Sequence, residues 1–232
     1  MFFFFHLLTG IILGFLLGDI LRDRRWILPC VVGSVLPDLI DKPLGHLIFP
    51  LTIGDGRIYT HTLFIAVVIL ITGILFWKRM QDPEVFALGV GLLSHQVLDM
   101  MWLEPSNWYH PFLGPFKGGL PEDYIWILLM QEIQNPFELT IAILIGVLLL
   151  AMVFYRRILV VMNRNRRVFS RILILSALLL CALSGICIGW GFINHTIPEI
   201  GWSRPEELII GGTVIALAAG LLWRWRIRRG KG

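Results

Sequence analysis

Long apolar runs alternate with short polar breaks along this chain. Seven runs read as membrane helices: Phe2–Leu21, Trp26–Asp41, His61–Trp77, Val85–Leu103, Phe137–Tyr155, Ile172–Phe192 and Leu208–Trp223. A crossing helix needs about 20 apolar residues. Continuous runs predict helices rather than barrel strands, whose residues alternate in polarity. Lipid also leaves the backbone no hydrogen-bonding partner outside its own helix. The second run is short. Pro37 interrupts it after eleven apolar residues, which rise only about 16 Å, so a broken helix that crosses partly is expected. The fold expectation is all-α, a polytopic transmembrane helical bundle of about seven segments. Pro121–Gln134 has proline and two acids in its first turn and apolar residues after them, the pattern of a helix start lying at the interface.

Charge then orients the spans. If the seven runs alternate in direction, sixteen Lys and Arg residues fall on one side, among them Arg22, Arg24, Arg25, Lys78, Arg79, Arg156 and Arg157. Four fall on the other: Lys42, Arg57, Lys117 and Arg204. The positive-inside rule places the N-terminus outside and the C-terminus inside the cell (inner) membrane. Trp102, Trp108, Tyr109, Tyr124, Trp126 and Trp202 cluster toward the outer side, as interfacial aromatic belts do.

Composition agrees. Of 232 residues, 56% are hydrophobic and 16% charged, and the mean hydropathy is +0.77. Soluble domains carry about 25% charged residues. The net charge of +4 is concentrated at helix ends, so it speaks of membrane orientation and not of nucleic acid. Cys30, Cys181 and Cys187 lie in apolar stretches and read as small packing residues. The first run has no Lys or Arg before it and reads as a retained helix rather than a leader. No phosphate-binding G-x-x-x-x-G-K-[ST], H-E-x-x-H or G-x-S-x-G pattern occurs.

Against this background six ionisable residues stand out within or at the edges of the apolar runs: His6, Asp38, Asp41, His61, His95 and Asp99. Polar groups at membrane depth are expensive and mark functional sites. The orientation above brings all six, from four segments, to one level near the outer face. Their spacing suits chelation. His95 and Asp99 are i and i+4, and Asp38 and Asp41 i and i+3, each pair sharing one helix face. Thr60 is the expected N-cap of the third helix, which places His61 in its first turn. Histidines with carboxylates form the ligand set of a divalent-metal site, zinc first, with manganese or iron next, and one or two ions. The metal ligands expected are His6, Asp38, His61, His95 and Asp99. Asp41 is a further ligand or a general base. Arg57 is the candidate phosphate contact. His110, in Tyr109-His110-Pro111, is another ligand, a general acid or a surface residue. Glu104 is as open as His110. Gly10, Gly14 and Gly18 mark a close-packing face of the first helix, and Gly89 and Gly91 permit close approach beside His95.

Read in order, these residues resemble a membrane-bound metal-dependent hydrolase-like family, the YdjM-like, LexA-regulated inner-membrane proteins. The pattern is an N-terminal His before spaced glycines, then L-P-D-x-D or a variant, then H-R-G-x-T-H-S, then H-x-x-x-D. Its counterparts here are His6 with Gly10 and Gly14, Leu36-Pro37-Asp38-Leu39-Ile40-Asp41, Gly56-Arg57-Ile58-Tyr59-Thr60-His61-Thr62, and His95-Gln96-Val97-Leu98-Asp99. The stretch His110-Pro111-Phe112-Leu113-Gly114-Pro115-Phe116 is also similar. This chain departs from the pattern at Gly56, where a histidine stands, and at Asp41, which comes one residue late. The resemblance covers residues 1–116 and implies a hydrolase-like membrane domain there. It leaves 117–232 as an outer interfacial helix plus three additional membrane helices. It further implies a distant similarity to zinc-dependent phospholipase C and hydrolysis of a phosphoester in a lipid or membrane-proximal substrate. An ion or proton transporter, or a non-catalytic membrane scaffold with a degenerate metal site, are the alternatives.

Overall fold

The computed structural model describes residues 3–49, 55–116, 124–134, 166–196 and 205–229, together with 139, 142, 143, 145 and 146. The described residues contain helices and turns and no strand. The chain divides into two compact units, residues 1–143 and 144–232.

In the first unit the main helices are α1 (Phe3–Ile20), α2 (Ile27–Pro43), α3 (Leu63–Met80) and α4 (Glu84–Leu98). The short α5 (Pro105–Trp108) and then α6 (Tyr124–Gln134) follow. The second unit pairs α7 (Arg166–Thr196) with α8 (Pro205–Arg229), where the Ser184 hydroxyl donates to the Gly212 carbonyl at 2.7 Å. Among the described residues, three helices are long and apolar enough to cross a membrane: Phe3–Ile20, Leu63–Met80 and Ser170–Trp190. Of the other four expected segments, α2 has 17 residues, while Glu84–Leu98 and Ile209–Arg224 are shorter apolar helices. The run Phe137–Tyr155 lies mostly outside the described residues.

Two local expectations are corrected. Pro37 does not break α2: the helix runs through it to Pro43 and continues into a wide turn over Leu44–Ile48. Proline removes the bond to the carbonyl four residues back and crowds it. That residue is Gly33, which has no side chain to add to the crowding. Thr60 is not the cap of α3 either. Its amide is held by Asp41 and its hydroxyl donates to the Pro37 carbonyl. Thr62, in extended conformation, accepts from the Ile65 amide instead, so His61 sits in the turn before α3.

Glycines set how closely the first four helices pack. A Cβ on Gly33 would collide with the Leu88 carbonyl and one on Gly91 with the Cys30 carbonyl, so α2 and α4 touch backbone to backbone. Gly10 of α1 lies against the Ser34 side chain of α2, whose Oγ and Cβ a Cβ at position 10 would strike. This crossing draws the ends of α1, α2 and α4 together, and those ends carry His6, Asp38 and His95. At the other end of these helices Trp26 is buried against Trp77 and Phe86, with ring centroids at 5.0 and 5.7 Å. There Arg25 donates to Asp23 and to the Gln81 carbonyl, joining the α1–α2 turn to the end of α3.

Gly91→Ala should therefore lower thermal stability in detergent by about 1–3 kcal/mol, because a backbone carbonyl cannot rotate away from the added methyl. Gly185→Ala is the matched control: its Cβ would meet nothing within 4 Å, and alanine favours the helix. Equal melting temperatures for the two variants would contradict the close crossing.

Candidate metal centre

The centre is built around two imidazoles. His95 hangs from the last turn of α4, where its Nδ1 lies 2.8 Å from the Ser34 carbonyl of α2. A carbonyl only accepts, so Nδ1 carries the proton and Nε2 presents a lone pair. His61 sits in the turn before α3 with its Nδ1 2.8 Å from Asp41 Oδ2. The same logic leaves its Nε2 as a lone pair. The two Nε2 atoms face each other at 3.1 Å. Two lone pairs at that distance repel unless a cation or a proton lies between them.

Two carboxylates converge on the same point. Asp38 Oδ1 is 3.8 Å from His61 Nε2 and 3.7 Å from His95 Nε2. Asp99 Oδ2 is 3.8 and 4.0 Å from the same two atoms. One atom each from Asp38, His61, His95 and Asp99 falls within 4.8 Å of all the others. Asp38 Oδ1 and Asp99 Oδ2 are buried and accept no hydrogen bond among the described residues. A single proton shared between the two nitrogens would answer both lone pairs but would give these two oxygens no partner beyond the Arg57 Nε that lies 3.2 Å from Asp99 Oδ2. One divalent ion held among them would satisfy all four atoms. A tetrahedral zinc site has edges of about 3.3 Å; the N–N edge of 3.1 Å is close to it, the four N–O edges are 3.7–4.0 Å, and all four atoms lie within 4.8 Å of one another, so the carboxylates would have to draw in on a bound ion. The donor set of two neutral imidazoles and two carboxylates fits zinc, manganese or iron equally.

A second set of contacts fixes these ligands. Asp41 is fully buried and accepts from the amides of Ile58, Thr60 and His61 at 2.9–3.2 Å, besides holding the His61 ring. Its oxygens are thus occupied by the 58–61 turn, and it orients His61. His6 reaches the group through Asp99: its Nε2 is 3.1 Å from Asp99 Oδ1, and its ring stacks on His95 with centroids 3.9 Å apart. Arg57 Nε lies 3.2 Å from Asp99 Oδ2, and its Nη1 pairs with Glu104.

Of the residues named from the sequence, the structure brings Asp38, His61, His95 and Asp99 into one four-atom group. His6, Asp41 and Arg57 touch that group. His110 is placed differently, with Nδ1 3.0 Å from the Gly114 carbonyl and its ring stacked on Phe116.

Sequence reasoning missed several supports. Gln96 donates to the Thr60 and Thr62 carbonyls and accepts from Trp108 Nε1, clamping both sides of His61. Asn107 donates to Asp55 and to the Arg57 carbonyl, and Asp55 takes the Arg57 amide. Lys42 Nζ lies 2.8 Å from Asp38 Oδ2. The available signal was weak: an amide beside His95 in an apolar run, and an acid beside the Gly56-Arg57 pair.

No curated protein and no solved structure matches the chain. A family model described as YdjM inner membrane protein matches residues 1–225, nearly the whole chain and all of the centre. The chain is therefore a membrane protein belonging to the YdjM inner membrane protein family.

Proposed function

We propose that the chain is a membrane-embedded, metal-dependent hydrolase of a phosphoester carried by a lipid or another membrane-proximal substrate. The observation that carries the reading is the pair of imidazole Nε2 atoms facing each other at 3.1 Å, with buried carboxylate oxygens of Asp38 and Asp99 3.7–4.0 Å from both. A divalent ion held there would supply Lewis-acid activation of water and of a phosphoryl oxygen. The residues around it do the rest. Asp38, His61, His95 and Asp99 hold the ion, Asp41 fixes the His61 ring, and His6 fixes Asp99. Arg57 is partly exposed, with 24% of its side-chain surface accessible, and its planar fork suits a phosphoryl group. The charge distribution of the sequence puts the site near the outer face of an inner membrane spanned about seven times.

The test uses the full chain purified in detergent and loaded with zinc or manganese. Hydrolysis of a chromogenic phosphoester should depend on the metal. It should fall by at least about a hundredfold in Arg57→Gln, since the guanidinium would stabilise charge in the transition state. Stoichiometric metal with no turnover of any phosphoester would favour a scaffold. Ion flux in vesicles that survives metal removal would favour a transporter.

A further inference from the structure

Two cations, not one, flank the centre. Asp38 points Oδ1 at the imidazole pair and turns Oδ2 to Lys42 Nζ, 2.8 Å away. Asp99 points Oδ2 at the same pair and meets Arg57 Nε at 3.2 Å. Each cation thus stands one carboxylate away from the same point, on a different carboxylate. Both are also more open than the acids they pair with. The Lys42 and Arg57 side chains are 19% and 24% accessible, against 2% and 4% for Asp38 and Asp99.

The stem of Lys42 also passes beside the residue that precedes Arg57. A Cβ built on Gly56, the residue before Arg57, would lie 3.2 Å from Lys42 Cγ and 2.8 Å from His46 Nε2. A side chain at 56 would press on both the lysine stem and His46. Glycine there leaves Lys42 lying alongside the Arg57 turn. Glu104, 40% accessible, pairs with Arg57 from the outer side. An anion therefore already occupies the guanidinium face that a substrate would use.

We propose that Lys42 and Arg57 form a two-cation clamp for a dianionic phosphoryl group. The substrate class is then a phosphomonoester rather than a phosphodiester, and Glu104 is the group the phosphoryl displaces. This deepens the hydrolase reading and rests on it for the chemistry, but not for the binding. The charge argument is direct. Two carboxylates would neutralise one divalent ion, which leaves Lys42 and, once Glu104 is displaced, Arg57 as two partly exposed positive charges beside the centre. A phosphomonoester carries about −1.5 to −2 at neutral pH, whereas a diester carries a single charge. Lysine supplies a point charge and arginine a fork, and together they suit three terminal oxygens. In this scheme Lys42 is a binding residue, and its bond to Asp38 is the resting arrangement.

The experiment is calorimetric titration of the detergent-purified, metal-loaded full chain with inorganic phosphate and, separately, dimethyl phosphate. It reads binding without turnover, so a chain that hydrolyses nothing still answers it. Phosphate should bind at least about tenfold tighter than dimethyl phosphate. Lys42→Gln should weaken phosphate by about tenfold or more while keeping its metal, and should change dimethyl phosphate less. Lys42→Arg should restore most of the loss, and Glu104→Gln should tighten phosphate. Equal binding of the two anions would overturn the proposal, and so would phosphate affinity unchanged in Lys42→Gln. Loss of metal from Lys42→Gln would also overturn it, because it would make the lysine a support for Asp38 alone.

Discussion

Asp38→Asn should lower the affinity of the chain for a divalent metal by more than about a hundredfold. Changing groups that merely orient ligands costs 10–100-fold, and Asp38 faces the centre directly. The amide would keep an oxygen in place but remove the charge that, with Asp99, balances the ion. It would also leave the two Nε2 lone pairs facing each other with less compensation nearby. The fold should survive, because Asp38 holds no backbone amide among the described residues and an asparagine oxygen can still accept from the partly exposed Lys42. Competition with a chelator of known affinity gives the number. An unchanged affinity would mean that the carboxylate is there to neutralise Lys42.

Asp41→Ala should have the largest effect on stability. Its carboxylate accepts from three backbone amides and one imidazole and is fully buried. Removing it strands those donors, at about 1–3 kcal/mol for each buried group left unsatisfied. A loss of about 3–5 kcal/mol is expected, typical of breaking a buried charged network. Because the 58–61 turn also aims His61, metal affinity should fall about 10–100-fold in the same variant. Hydrogen exchange at the amides of Ile58, Thr60 and His61 locates the damage, and they should lose protection first. Asp41→Asn, which keeps an acceptor, should fall between the wild type and alanine. A stable alanine variant with its metal affinity intact would leave Asp41 with no part in holding the centre.

How much of this was legible in the sequence depends on which force placed each residue. His95 and Asp99 were readable because two ionisable groups at i and i+4, deep in an apolar run, cost too much to serve packing alone. Asp38 and His61 were readable once charge had oriented the helices. The division of labour was not. The sequence points to Asp38 as a ligand and leaves Asp41, three residues on, as a ligand or a general base, with nothing to mark it as the anchor of a turn. The turn over residues 58–61 folds onto Asp41 and leaves Asp38 to the centre, and that choice depends on which amides meet which oxygen. His6 was expected as a ligand; its Nε2 meets Asp99 Oδ1 and its ring lies flat on His95. That is a tertiary result of the α1 packing set by Gly10. Thr60 and Thr62 are both good caps by type, and the contest was settled by Asp41 capturing the Thr60 amide. Pro37 reads as a breaker by type, yet α2 passes through it where glycine stands four residues earlier.

The central claim is that the Nε2 atoms of His61 and His95, with Asp38 and Asp99, hold one divalent ion. X-ray absorption spectroscopy of the full chain, purified in detergent and loaded with one equivalent of zinc, tests it most directly. The expected spectrum has a first shell of nitrogen and oxygen at about 2.0–2.1 Å without sulfur, and two imidazole ligands. One imidazole should disappear in His61→Ala, and one in His95→Ala. A spectrum unaltered by either substitution, or a folded chain that retains no zinc, would contradict it.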